Sequence, residues 1–298
     1  MTIELSDEEL RALDTAVERA IDGGGTSHLE VLGYGEISAV VAWPTMEGVR
    51  ACKRLPPFAD EASVEAYSAC VADYLDALRR AGVTPLETAV QWLALDEGGL
   101  AAFCVQPLHP SEALLHKRLQ SCDRGEAEAH FERVLALFEA CVSPRVGLDG
   151  QASNWVVTDE GLAYLDVSTP MLRDSAGHER LDTELFLASL PWALRGVVRR
   201  FLLGSILDKY YEVRGVVLDF LGNFHKEGLG HLIPPLMAIA NQRVEPVLTE
   251  DEIRSYYRSD AIMWEVLQRL RHADRAWQRR IRRRRYPFLL PGRIERNV

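Results

Sequence analysis

The sequence lacks any apolar run near the roughly 20 residues that a membrane-spanning helix needs. Its opening stretch, MTIELSDEEL, is acidic and has no apolar core of the kind a secretory signal carries, so a cytoplasmic protein is expected. Cysteine is scarce: the five present are odd in number and show no C-x-x-C spacing. That argues against a disulfide framework and a structural zinc, and fits a reducing compartment. Basic residues are also in deficit, with 34 Lys and Arg against 44 Asp and Glu. A net charge of −10 makes most of the surface a poor one for nucleic acid, though it suits a cationic substrate.

The charge is unevenly spread. From Arg269 to the end there are 11 Arg against Asp274 and Glu295, so the remainder of the chain carries −19. At 298 residues, 47% of them apolar, the chain can bury a sizeable core as one two-lobed domain or two small ones.

In chain order, Ser6-Asp-Glu-Glu9 is a capping box that opens an amphipathic helix to about Ile21, halted by Asp22-Gly-Gly-Gly25. Leu29 to Val41 reads as strand, glycine turn and strand, with Gly33-x-Gly35-x-x-Ser38 at the turn. Val49 to Lys53 alternates as another strand. Ala59 to Arg80 has helical periodicity and stops at Ala81-Gly82. Thr88 to Leu95 and Leu100 to Val105 complete a five-stranded sheet, and Ser111 to Cys141 is helical again.

The stretch RVGLDGQASNWVVTDEGLAYLDVSTP, residues 145–170, concentrates the chemistry. Two apolar runs, Trp155 to Thr158 and Leu162 to Leu165, flank Asp159-Glu160-Gly161 and read as a tight hairpin. Folded about Glu160, the hairpin sets Asn154 opposite Asp166, with Cβ atoms roughly 5 Å apart. An amide oxygen and a carboxylate so placed suit a hard cation such as Mg²⁺, which keeps its other positions for water and phosphate. Asp149 lies in a glycine-containing loop and is free to face a cleft.

Asp149-x-x-x-x-Asn154, a short hairpin and then Asp166 at the end of an apolar strand resemble the catalytic loop and metal-binding aspartate of the protein-kinase-like superfamily. The nearest in style are its aminoglycoside and choline phosphotransferases and uncharacterised actinobacterial kinase-like proteins. The resemblance covers about Leu29 to Ala240. It implies an α+β, two-lobed fold with an antiparallel β-sheet N-lobe and a helical C-lobe, extended by helices at both ends. The expected divisions are 1–25, 26–108, 109–245 and 246–298. ATP and Mg²⁺ are the implied cofactors, and a small-molecule hydroxyl is the implied acceptor. Gly33, Gly35 and Ser38 would form the flap over the phosphates, and Lys53, closing Ala51-Cys52-Lys53, would contact them. Glu65, or else Glu61, would pair with Lys53. Gln106-Pro107-Leu108 would be the hinge. Asp149 would orient the acceptor, while Asn154 and Asp166 would hold the metal.

The pattern departs from protein kinases at three places. Gly147 stands where a histidine is usual, Val167-Ser168 follows Asp166 in place of Phe-Gly, and no A-P-E segment follows. Those departures leave small-molecule kinases, with non-catalytic nucleotide-binding pseudokinases or scaffolds and adenylate-transferring enzymes as the alternatives. Glu184, Asp219, Asn223, His225 and Lys226 lie in the helical region where a substrate would bind. Thr249 caps a last helical segment, and six of the seven residues from Arg279 to Arg285 are Arg. This basic tail either packs against the acidic body, touches a membrane surface or binds nucleic acid.

Overall fold

Ser6 starts the first helix as its sequence requires: its hydroxyl accepts from the Glu9 N–H, and the Glu9 carboxylate accepts from the Ser6 N–H. The computed structural model describes residues 3–291 except 25, 36–37, 97, 189, 191–194, 197 and 199–202. The helix, α1 (Asp7–Arg19), runs into a single π turn, Ala20–Gly24, where Gly23 takes φ +106°. Its Leu10, Leu13 and Val17 are buried against one face of a sheet.

That sheet has five antiparallel strands in the order β1-β2-β3-β6-β5, formed by β1 (Glu30–Tyr34), β2 (Ala39–Thr45), β3 (Gly48–Arg54), β5 (Ala89–Ala94) and β6 (Leu100–Pro107). Side chains alternate across a strand, and β6 uses both faces. Ala101, Phe103 and Val105 join the cluster under α1, whereas Ala102 and Cys104 join the cluster on the opposite side. On β3 the same alternation sends Cys52 toward α1 and therefore Lys53 away from it.

The opposite face is covered by α2 (Glu61–Arg80), which begins at an Asp60 capping box and buries Val64, Tyr67, Val71, Tyr74 and Leu78. A second sheet, β4-β8-β7, combines β4 (Thr84–Pro85), β7 (Trp155–Thr158) and β8 (Gly161–Tyr164). The two-residue strand β4 runs parallel to β8 and was not legible in the sequence. Helical structure follows: α3 (Leu115–Ser121), α4 (Arg124–Cys141), α5 (Glu184–Ala188), α6 (Leu203–Asp208), α7 (Val213–Glu227), α8 (Ile233–Ala240) and α9 (Glu250–Arg280). A 3₁₀ turn, Lys209–Tyr211, precedes α7.

The main core is continuous from α2 through the hairpin to these helices. An aromatic chain carries it: Tyr164 meets Trp155 at 5.1 Å between ring centroids, Trp155 meets Phe138 at 6.2 Å, and Phe138 meets Phe220 edge-on at 6.0 Å. The architecture is thus α+β, an antiparallel sheet unit and a helical unit, compatible with two lobes.

Both ends of the chain meet. Arg279 donates to the Ile21 carbonyl, Arg285 pairs with Glu18, and its Nε lies 3.0 Å from Asp22 Oδ1. On the sheet side, buried Arg54 reaches Glu18 at 2.9 Å and Asp14 at 3.4 Å. The basic tail therefore offsets acidic charge at the end of α1 through one arginine, Arg285, and is fastened there by a second, Arg279, so the N-terminal helix is an integral layer. Truncating the fully buried Leu13 to Ala should lower the unfolding free energy by about 3 kcal/mol in chemical denaturation. A loss below about 1 kcal/mol would show that α1 merely rests on the sheet.

Candidate functional site

Lys53 leaves β3 on the face turned away from α1, and its ammonium meets Asp166, one residue beyond Leu165 at the end of the hairpin. Nζ lies 2.8 Å from Oδ1, with each side chain about one-fifth exposed. Burial pushes the Asp166 carboxyl up, but Lys53 and a hydrogen bond from the Ser168 hydroxyl (3.1 Å) outweigh it, and the carboxyl ends below its usual range. Burial pulls Lys53 down, and Asp166 more than restores it. Ser168, a departure from the resemblance, thus supports Asp166. Its own carbonyl accepts from Tyr67 Oη at 2.7 Å.

The loop before the hairpin is held from several sides. The Gly147 N–H donates to the Met171 carbonyl, the Leu148 N–H to the Tyr210 carbonyl, and Tyr74 Oη to the Gly147 carbonyl at 2.9 Å. A Cβ on Gly147 would lie 3.0 Å from Met171 Cβ and 3.2 Å from the Tyr210 carbonyl oxygen. A side chain there would push its neighbours aside, and Tyr74 from α2 braces the loop through its hydroxyl. Gly150 is tighter, because a Cβ would meet Val216 Cγ1 at 2.5 Å and Phe138 Cζ at 2.6 Å. The Trp155 indole N–H donates to the Gly150 carbonyl at 3.2 Å. The Asn154 side chain turns back to donate to the Asp149 carbonyl at 3.2 Å, leaving its Oδ1 without a hydrogen bond among the described residues.

Three carboxyl groups influence one another here: Asp149, Asp166 and Asp219 of α7. Two have a lysine each. Asp219, almost wholly buried, has Oδ1 3.0 Å from Lys209 Nζ and accepts from Tyr256 Oη of α9, while Oδ2 is buried without a partner among the described residues. Among the described residues Asp149 has no such cation of its own, and its side chain accepts only the Gln151 N–H, at 3.2 Å. Burial, then Asp219 and Asp166, push its carboxyl up to about 8. Asp149 therefore keeps its proton at neutral pH, whereas Lys53 and Lys209 are held above their usual range by Asp166 and Asp219.

Several expectations need correction. The hairpin pairs Thr158 with Gly161 and Trp155 with Tyr164, so its loop is Asp159-Glu160 and Gly161 belongs to β8. Asn154 therefore stands opposite Leu165, whose N–H donates to the Asn154 carbonyl, one register step from the expected pairing with Asp166. Glu65 is exposed on α2, and no ion pair among the described residues joins it to Lys53; Glu61 is likewise exposed. The residue of that helix that reaches the sheet's inner face is Tyr67, 3.4 Å from Cys104 Sγ. Gln106 is more than a backbone hinge, since its Nε2 donates to Thr88 Oγ1 and to the Leu165 carbonyl at 2.8 Å. At the glycine turn, the Gly35 N–H donates to the Ser38 carbonyl, Ser38 is buried, and a Cβ on Gly33 would face open space. Residues 36–37 of this turn lie outside the described residues.

Of the helical candidates, Asp219 joins the site, and Asn223 supports it by donating to the Asp219 carbonyl at 2.9 Å. Exposed Lys226 reaches Gln151 Oε1 at 3.4 Å. His225 instead stacks on Tyr257, 5.3 Å between centroids, and Glu184 begins α5. Lys209 and Tyr256 were missed. Nothing near them in sequence marks them, because they reach Asp219 from elements 10 and 37 residues away.

The sequence model of a family of unknown function matches residues 12–275, a span that includes the second half of α1, both sheets, the loop and most of α9. The chain belongs to this family, DUF6206. Comparison with the curated proteins finds no match. Membership extends over Lys53, Asp149, Asn154, Asp166, Lys209, Asp219 and Tyr256 alike. Tyr256, on the C-terminal helix, therefore lies inside the family's span.

The Asp149 proton yields a signed prediction. An unfolded aspartate titrates near about 3.9. Between about pH 4 and 8 the folded protein holds a proton that the unfolded chain has lost, so this group's contribution to stability falls as pH rises through that window. Asp149→Asn has no proton to lose. Its melting temperature minus that of wild type should increase from about pH 5 to about pH 8; a constant difference would show that Asp149 ionises normally.

Proposed function

We propose that the protein transfers the γ-phosphate of ATP to a hydroxyl on a small molecule, as the likeness of its loop and hairpin to kinase-like enzymes implies. The observation that carries this reading is the 2.8 Å contact between Lys53 and Asp166, formed beside a half-buried Asp149 that Asp166 perturbs. Lys53 and Asp166, 113 residues apart in the chain, meet beside Asp149, which suits a reaction that asks for positioning and charge neutralisation more than covalent chemistry.

Asn154 Oδ1 and the second oxygen of Asp166 accept no hydrogen bond among the described residues, so this oxygen pair fits Mg²⁺. No group of three or more His, Cys, Asp or Glu among the described residues is arranged to hold a metal, so phosphate and water would have to supply the other ligands. Bound there, Mg²⁺ would offset phosphate charge. Lys53 would turn from its sole carboxylate partner toward the phosphates, while Ser168 kept Asp166 in place. Asp149 would orient the acceptor hydroxyl and take its proton once its own had left. Lys209 is placed to favour that loss, since its positive charge lowers the Asp149 carboxyl while neighbouring Asp219 raises it. Gly33, Gly35 and Ser38 would cover the nucleotide, with the Gly35 N–H turning from the Ser38 carbonyl toward a phosphate oxygen.

A non-catalytic nucleotide-binding scaffold is the second reading. It is favoured by the exposure of Glu65, which leaves Lys53 with no helix carboxylate to fix it. Turnover separates the two. With ATP and Mg²⁺, wild type should release ADP slowly to water and faster with the right alcohol, giving a product heavier by about 80 Da, and Asp149→Asn should lower kcat by about 10²-fold or more while nucleotide binding persists. Nucleotide binding without any ADP would support the scaffold, and a product heavier by about 329 Da would indicate adenylate transfer on the same site.

A further inference from the structure

The C-terminal half of α9 has one face that the fold does not cover. Ala261, Gln268, Arg271 and Asp274 are buried against the body, whereas Ile262, Met263, Val266 and Trp277 stand about half exposed, and Ile281, just past the helix, is 61% exposed. At roughly 100° per residue, Ile262, Met263, Val266, Trp277 and Ile281 fall within an arc of about 100°. With a rise of about 1.5 Å per residue, they form a stripe nearly 30 Å long. Arg269 and Arg280 edge this stripe, and Arg282, Arg283 and Arg284 extend its basic end; all five are exposed. Arg279 and Arg285, by contrast, are engaged with the N-terminal helix and its π turn. The arginine run is thus divided: its ends fasten the segment to α1, and its middle faces outward beside Trp277 and Ile281.

We infer that this face of α9 docks the protein on an anionic lipid bilayer surface, with Trp277 and Ile281 entering the interface and Arg280, Arg282, Arg283 and Arg284 meeting lipid phosphates. The charge distribution selects this occupant. An apolar stripe bordered by arginine suits a surface that is apolar just below an anionic layer. The rest of the chain carries −19 and is repelled by the same surface, so only this face can approach. Nucleic acid would use the arginines but leave aliphatic Ile262, Met263, Val266 and Ile281 without a partner. No described helix is long and apolar enough to cross a membrane, so the contact is one of lying on the surface. The inference is independent of the reaction proposed above.

The test is sedimentation of the full chain with phosphatidylcholine vesicles containing or lacking about one-quarter phosphatidylglycerol, at about 0.1 M and about 0.5 M salt. Binding should be at least about tenfold stronger to the anionic vesicles and should weaken at the higher salt. It should be lost in Trp277→Ser/Ile281→Ser and in Arg280→Gln/Arg282→Gln/Arg283→Gln/Arg284→Gln. These side chains are exposed, and both variants should keep the wild-type melting temperature. If the quadruple variant fails to fold, the double variant decides alone. Failure to bind anionic vesicles overturns the proposal, as does binding that neither variant reduces. So does a wild-type dimer in light scattering that Trp277→Ser turns into a monomer, because a second copy would then cover the stripe. Preferential binding of single-stranded RNA over vesicles, lost in the arginine variant, overturns it as well.

Discussion

The ion pair between Lys53 and Asp166 joins the two halves of the molecule, and most of the site's geometry depends on it. It links the third strand of the five-stranded sheet to the residue just past the hairpin. Around it the polar contacts run in the same direction, from Gln106 to the Leu165 carbonyl and from Tyr67 to the Ser168 carbonyl. A largely buried ammonium without this carboxylate would be costly to keep charged, and the carboxylate without the ammonium more so. The pair therefore fixes the register of sheet against hairpin as well as the electrostatics between them.

Burial is the first reason that Asp149 keeps its proton. The charge balance adds to it, since Asp219 and Asp166 raise it further and each already has a lysine beside it. A polyphosphate and a cation entering this site would change that balance by drawing Lys53 and Asp166 to new partners. The α9 contribution is equally physical: Tyr256 and Lys209 hold Asp219 on one side while the helix's far end returns to α1. In the proposed reading, the C-terminal helix thereby helps set the acid strength of the loop.

Much of this was legible in the sequence where the signal is local. Ser6 and Thr249 mark helix starts through short capping contacts, and alternation located the five strands. Lys53, Asp149 and Asp166 could be singled out because residue type and order survive translation into space. The hairpin register was off by one step because Gly161 can serve as a turn residue or as the first residue of a strand, and only the cross-strand hydrogen bonds decide. Glu65 was misplaced because its position shares the helical surface with several solvent-facing neighbours, and packing of Val64 and Tyr67 chose the inward face. Lys209, Tyr256 and the brace from Tyr74 were beyond reach, since each acts on a group brought near only by the tertiary fold.

The most direct test of the central claim is the thermal shift produced by ATP, with and without Mg²⁺, in wild type and in Asp166→Ala. A ligand at 100 times its Kd stabilises the folded state by about 2.7 kcal/mol, enough to read as a clear rise in midpoint. The account predicts a rise in wild type that depends on Mg²⁺ and loses that dependence in the variant. No shift in wild type at millimolar nucleotide would contradict it, and an equal Mg²⁺-dependent shift in both proteins would remove Asp166 from the nucleotide site.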